Sequence, residues 1–491
     1  MSKVIFLLLF CLSLFANIET RALRGDENSS SFFWIHEFIK KIKKDETLLC
    51  KERIDLQRLE NLLVGYEYTF DPKLKELLLD EVEKTVQSYN YFKSNGCYNP
   101  KEFLEENFLS TDKSDTKVID NPILHRLYKA FEKYKKIKQE GGWEPIVVQD
   151  ILYLKKGQEY DVIPQICKRL KIEGYIEECN DSKLFNSSLE NAVKEFQRCH
   201  SLKVDGIIGP MTVTAMNESV DMRLKEILIN IERARWFVKN DNFFVFVDIP
   251  GFFLQVFKDG EPIFYSKVVV GRKSRPTPQM RNVISYAILN PYWRAPKTII
   301  KEDILPHIKK GEFEELYKEG ILASKDYYGK NLIAYEDVNW SEYNVTNLPF
   351  TFLQLPGDQN FLGRIKMMFP NRFDVYLHDT NERWLFDYDF RALSSGCVRV
   401  QKPLELFDVL LQETCQTYIS LEDVQALLAD NETKKIYIRP NIPVYLLYLT
   451  VYMDEEGLVS FFDDIYGIDK KMLSIEDLQK LDTIAVNKRK E

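Results

Sequence analysis

From about Phe32 to Lys138 the apolar positions recur every three to four residues, the period of helices that bury one face. Asp71-Pro72 supplies an N-cap and a first-turn proline ahead of Leu74, Leu77, Leu78 and Val82, which fall on one helical face. Leu56, Leu59, Leu62 and Leu63 repeat the spacing, and core packing accounts for both sets. Gly141-Gly142 and Pro145 break the pattern and predict a linker over residues 139–148. A compact helical unit is predicted from about 149 to 218. In it Ser187 and Glu190 read as a capping box, and Leu189, Ala192, Val193 and Phe196 share a face. Asp205-Gly206 and Gly209-Pro210 then make two tight turns. Leu224, Ile227, Leu228 and Ile231 predict an amphipathic helix that runs to Trp236 and connects this compact unit to the stretch beyond it.

At Phe243 the period changes to two. Phe244, Phe246 and Asp248 alternate with Val245 and Val247, and Phe253 to Phe257 leads into a Lys258-Asp259-Gly260 hairpin turn. Val268 to Gly271 and Val283 to Leu289 continue a sheet. Residues 297–350 interrupt it with helix-like and polar segments too long for an ordinary sheet connection. Leu404, Phe407, Leu410 and Leu411 mark one more helix, with Cys415 behind it as a structural residue. Val444–Tyr452 and Val459–Ile465 flank Asp454-Glu455-Glu456-Gly457 as a last hairpin, and the polar tail beyond Leu473 reads as partly disordered. The fold class is therefore α+β: a helical scaffold, a small helical unit and a mostly β domain.

Composition narrows this picture. At 491 residues the chain needs two to four domains, and 45% apolar with 29% charged residues is ordinary for a globular protein. A net charge of −8 excludes nucleic acid as the main partner, because phosphate binding needs a basic surface. Lys3 followed by the apolar run Val4–Ala16 has the form of a signal peptide, with cleavage near Ala16 or Ala22 and an uncleaved anchor as the alternative. Export leads to an oxidising compartment. Without Cys11 there remain Cys50, Cys97, Cys167, Cys179, Cys199, Cys397 and Cys415, an odd number that implies a free thiol. Cys50 with Cys97, and two among Cys167, Cys179 and Cys199, are candidates for bridges.

The candidate chemistry lies in two short stretches. His378 ends the apolar run Val375-Tyr376-Leu377, and nineteen residues later Cys397 follows Ser394-Ser395-Gly396. A thiol becomes nucleophilic when a base takes its proton, and His378 can be that base while Arg391 and Arg399 supply positive field. Gly396 lets the backbone approach closely, so amides near Ser395, Gly396 and Cys397 can face one oxyanion. No His pair has i, i+4 spacing and no C-x-x-C occurs, so no metal site and no cofactor is expected. G-x-S-x-G is missing as well, which disfavours a serine hydrolase.

These stretches resemble the L,D-transpeptidase catalytic domain of the YkuD type. So do Lys267–Arg272, Leu289-Asn290-Pro291-Tyr292-Trp293, Lys301–Pro306, Leu355-Pro356-Gly357 and Leu362-Gly363-Arg364-Ile365-Lys366. The likeness is to the large, multidomain periplasmic branch, in which a capping subdomain is inserted into the sheet. Ser395 stands where many members carry a second His, which leaves His378 as the base. Ala192–Arg198 with Val204–Pro210 and Thr212 resembles the small three-helix peptidoglycan-binding domain. The chain is thus expected to carry a signal peptide over 1–22, a helical domain over 23–145 and, by resemblance, a peptidoglycan-binding-like domain over 146–220. A connecting helix over 221–240, a catalytic domain over 241–470 with its cap at about 297–350, and a tail over 471–491 complete it. The resemblance implies Cys397 as nucleophile and His378 as base, with Ser395, Gly396 and Arg399 in the oxyanion motif and Trp293, Arg391 and Ser394 as candidate substrate contacts. Bracing is the competing role for Arg391 and core packing for Trp293. The implied reaction is 3→3 cross-linking of peptidoglycan through a cysteine thioester, with release of D-Ala and acylation by carbapenems. The implied partners are stem peptides, glycan and other cell-wall enzymes, in the periplasm. The alternatives are a carboxypeptidase using the same acyl-enzyme and a non-catalytic wall-binding protein.

Overall fold

The computed structural model describes residues 33–69, 72–97, 121–148, 153–414, 419 and 421–473. The expected signal peptide, Cys415 and all but the start of the C-terminal tail lie outside the described residues. The chain divides into two units, one within the first 119 residues and a larger one from Asp120 onward.

Helices α1 (Phe33–Lys44), α2 (Leu56–Thr69) and α3 (Pro72–Asn95) make the smaller unit. Ile35, Ile39, Leu59, Leu63, Leu78 and Val82 form its core, while Leu77 is half exposed at the edge of the predicted face. Cys50 and Cys97 are bridged. Beside that bridge Lys93 pairs with Asp45 at 3.0 Å and Tyr89 donates to the same carboxylate.

The larger unit opens with α4 (Pro122–Gln139), capped by the Asn121 side chain, which accepts from the Ile123 amide. Although α4 lies in the stretch expected as the N-terminal domain, it packs on α8 and the C-terminal hairpin. Helices α5 (Ile163–Glu173), α6 (Ser187–Cys199) and α7 (Pro210–Met216) close over Leu154, Ile166, Leu170, Val193, Phe196 and Ile208. The cap of α6 is Asn186, not Ser187: Asn186 is extended and its oxygen accepts from the Leu189 amide, while Glu190 turns to Lys156 and Lys194. Cys167 is bridged to Cys179, which leaves Cys199 buried and free. Helix α8 (Val220–Phe237) is buried on nearly every side, including Glu232, Arg233 and Arg235.

The β region begins with β1 (Phe243–Asp248), β2 (Phe253–Lys258), β3 (Glu261–Gly271) and β4 (Met280–Leu289). The insertion carries β5 (Trp293–Arg294), a helical run over 297–318 with a π turn at Ile300–Ile304, then β6 (Leu322–Ser324), β7 (Leu332–Ile333) and β8 (Thr351–Gln354). These four strands form their own sheet, with a separate core of Trp293, Ile304, Leu316, Tyr335, Trp340 and Phe352. The main sheet resumes with β9 (Ile365–Met368), β10 (Leu377–His378), β11 (Ala392–Ser394) and β12 (Val398–Val400). After α9 (Pro403–Glu413) and α10 (Leu421–Ala429) comes β13 (Lys434–Leu447). Its order is β11-β3-β12-β10-β9-β4-β13-β1-β2. Residues 444–447, expected in the last hairpin, instead pair parallel with β1 in this sheet. The hairpin is shorter, β14 (Val451–Met453) with β15 (Val459–Phe461), and α11 (Ile468–Leu473) follows. Helices α9 and α10 cover one sheet face through Leu406, Phe407, Leu410 and Val424, and the insertion's core reaches Tyr376 on the other. Among the described residues no helix is long and apolar enough to cross a membrane.

Candidate active site

Strands β10 and β12 run parallel, with Leu377 opposite Val398 and His378 opposite Arg399. Side chains alternate along a strand, so Leu377, Val398 and Val400 enter the core while Tyr376, His378, Cys397 and Arg399 share the other face. Cys397 opens β12 beside Tyr376, whose carbonyl accepts from the Val398 amide. Cys397 and His378 therefore stand on one face of neighbouring strands, offset by about one side-chain repeat.

His378 is buried, and its Nδ1 faces the Asp379 carbonyl at 2.5 Å. A carbonyl only accepts, so Nδ1 carries the proton and Nε2 keeps its lone pair. Burial, aided by the charge of Arg399, pushes the imidazole pKa down to about 3, so the ring is neutral at any working pH. The Asp379 carboxylate is occupied elsewhere, by the Arg364 amide and by Arg383. Cys397 keeps partial solvent access. Its surroundings nevertheless push the thiol up to about 11, burial outweighing the Tyr376 backbone amide, the charge of Lys366, the Tyr376 phenol and the charge of Arg399, all of which favour thiolate. At rest the thiol is protonated and points at the Asp374 carbonyl, 3.7 Å away. The pair is thus a neutral thiol beside a neutral imidazole.

The loop before Cys397 is fixed by its own hydrogen bonds. Gly396 has φ of 115°, a conformation that favours glycine. Ser394 Oγ donates to the Cys397 carbonyl at 2.6 Å and accepts from the Gly396 amide at 3.1 Å, which removes that amide from any oxyanion site. Thr277 Oγ1 donates to the Gly396 carbonyl and accepts from the Gly271 amide, both at 2.8 Å. Arg275 donates to Ser395 Oγ at 3.0 Å and pairs with Glu302 and Asp303 of the insertion. One guanidinium thereby ties the insertion to the loop before Cys397.

Cys397, His378, Ser395, Gly396 and Arg399 are brought together, with Ser394 beneath them. Arg399 is paired with Glu382 and reaches Thr380. Arg391 is buried apart, donating to the carbonyls of Val268, Phe252 and Tyr388, and so braces β11 against β3. Trp293 lies in the insertion core, edge-on to Phe361. Sequence reasoning gave no role to Tyr376, Arg275 or Thr277. Tyr376 was within reach of it, since period two puts it on the face of His378. Arg275 and Thr277 meet Ser395 and Gly396 across more than a hundred residues, and no local pattern announces that.

Comparison with known proteins matches two stretches of the chain. Residues 242–424 match the family model described as L,D-transpeptidase catalytic domain, YkuD, and residues 161–216 match one described as "Putative peptidoglycan binding domain". A Haemophilus influenzae protein named "Putative L,D-transpeptidase" is 37% identical over 228 residues, 46% of this chain and 45% of the relative. The chain thus spans less than half the length of that relative. Among solved structures, the L,D-transpeptidase (residues 123–326) from Xylanimonas cellulosilytica is 12% identical with a TM-score of 0.19, covering 61% of this chain and 100% of its own. An L,D-transpeptidase from Stackebrandtia nassauensis is 13% identical with a TM-score of 0.23, covering 60% and 94%.

Proposed function

With residues 242–424 an L,D-transpeptidase catalytic domain of the YkuD family and residues 161–216 a domain of the peptidoglycan-binding type, we propose that the chain is an exported acyltransferase that forms 3→3 peptidoglycan cross-links. His378 Nε2 takes the Cys397 proton as the sulfur attacks the carbonyl of the third residue of a tetrapeptide stem. The oxyanion is held by the amides of Cys397 and Ser395, since those of Gly396 and Val398 are already spent, and each such donor lowers the barrier by about 3 kcal/mol. Collapse expels the amine of the terminal D-Ala, which takes the proton back from the imidazolium, and leaves a Cys397 thioester. An amine of a second stem then attacks the thioester. His378 removes its extra proton and returns one to the departing thiolate.

The observation that carries this reading is the placement of Cys397 and His378 on one face of adjacent parallel strands, with the tautomer fixed so that Nε2 is free to accept. The two disulfides support export, since such bonds persist in oxidising compartments. Intact mass after incubation with a tetrapeptide donor or a carbapenem should show one adduct on Cys397 and none on Cys397→Ala. Muropeptide analysis should yield 3→3 dimers. Tripeptides without dimers would instead assign a carboxypeptidase, and a cell-wall effect that survives Cys397→Ala would assign a non-catalytic wall protein.

A further inference from the structure

Lys366 of β9 stands opposite His378 in the β9–β10 register, so alternation turns it onto the face of Tyr376, His378 and Cys397. Its ammonium lies 5.1 Å from the centre of the Tyr376 ring, and the phenol of that tyrosine favours the thiolate of Cys397. At the root of the insertion, Arg294 of β5 lays its guanidinium over the rings of Tyr327 and Tyr292, at 4.2 Å and 5.2 Å. Its Nε donates to the Tyr327 carbonyl.

What distinguishes these two cations is their lack of a counter-charge. Three arginines around the site are neutralised: Arg399 by Glu382, Arg383 by Asp379, and Arg275 by Glu302 and Asp303. Neither Lys366 nor Arg294 is ion-paired with any described residue. Burial holds the Lys366 ammonium below its ordinary pKa, and Arg294 adds to that effect. Only the Cys397 sulfur opposes it, and no carboxylate does. Two half-buried like charges without an acid are unfavourable by themselves, above all in a chain of net charge −8 where acids are plentiful. An anion near both relieves that cost, and Lys366 shares its strand face with Cys397.

We propose that Lys366 and Arg294 form a receptor for a carboxylate of the acyl donor. The proposal rests on the acyl-transfer reading and names the part of the donor that the site recognises. A stem peptide offers two carboxylates near the scissile bond: one on the side chain of a diamino-diacid third residue, and one at the C-terminus of the leaving residue. Both share the chemistry of the receptor.

The test compares wild type, Lys366→Gln and Arg294→Gln on three tetrapeptide donors: the free acid, a donor amidated at the third-residue side chain, and a donor amidated at the C-terminus. Thermal unfolding checks that each variant is folded. Wild type should prefer the free acid over one of the amides by about 10- to 100-fold in kcat/KM for Cys397 acylation, the usual worth of a charge-assisted contact. The amide that loses the preference identifies the carboxylate. In Lys366→Gln and Arg294→Gln the ratio of acid to amide should collapse toward one. A wild type indifferent to both amidations, or variants that keep the wild-type ratio, would overturn the receptor while leaving acyl transfer standing. If neither the donors nor a carbapenem leaves an adduct on Cys397, acyl transfer and the receptor fall together.

Discussion

A histidine serves as a base only while it is neutral, and the burial of His378 extends that condition far into acid. With an ordinary pKa of 6.5 it would be mostly protonated at pH 5; held at about 3, it keeps its Nε2 lone pair there. Acylation of Cys397 should therefore proceed at pH 5 at close to its pH 7 rate, and a stopped-flow profile that falls with a midpoint near 6.5 would contradict this assignment. His378→Ala should slow acylation by about 10²–10⁴-fold. Tyr376→Phe removes the phenol from the sulfur and should slow it by about 3- to 10-fold, with little change in stability. Cys397 and His378 were legible because small residues around a cysteine, and a histidine ending an apolar run, are local signals. The group that orients His378 was not, because the Asp379 carbonyl and carboxylate belong to one residue and only coordinates decide between them.

Among the elements, the contacts that fix the site come from connections rather than strands. Gly363 has φ of 56°, and a Cβ there would lie 2.3 Å from the Asp379 carboxylate, on the residue whose carbonyl holds His378. Gly363→Ala should cost at least about 2 kcal/mol in urea unfolding and lower acylation as well. Arg275→Met removes the tie between Ser395 and the insertion. It should speed hydrogen exchange across residues 297–318 and reduce acylation, while leaving exchange in α9 unchanged. The strands themselves were partly legible. The turn at Lys258-Asp259-Gly260 announces itself, and its Asp259 and Gly260 both have positive φ. Val444–Leu447 deceived because a continuous run of Val, Tyr and Leu fits any strand buried on both faces, whether in a hairpin or at the centre of a sheet.

For the larger unit as a whole, a second buried histidine governs behaviour toward acid. His200 stacks on Phe196 and Phe461, donates through Nδ1 to the Phe196 carbonyl and leaves Nε2 without a partner. Burial, reinforced by the charge of Arg223, lowers its pKa to about 3. The unfolded chain takes up that proton below about 6.5 and the folded one does not, so stability is lost as pH falls through this window. The loss is about 2 kcal/mol at pH 5 for each of His200 and His378. His200→Phe should preserve the stack and flatten the pH dependence of urea unfolding between pH 7 and 5; an unchanged slope would show that His200 is not buried neutral. Around it Tyr134 of α4, Arg169 and Glu173 of α5, and Arg223 of α8 form one buried polar cluster against Phe461 of β15. Residues 161–216 are accordingly welded to the hairpin that closes the catalytic domain, not hung from a tether. Their surface is thereby held at a constant offset from Cys397, a spacing written into the protein's geometry.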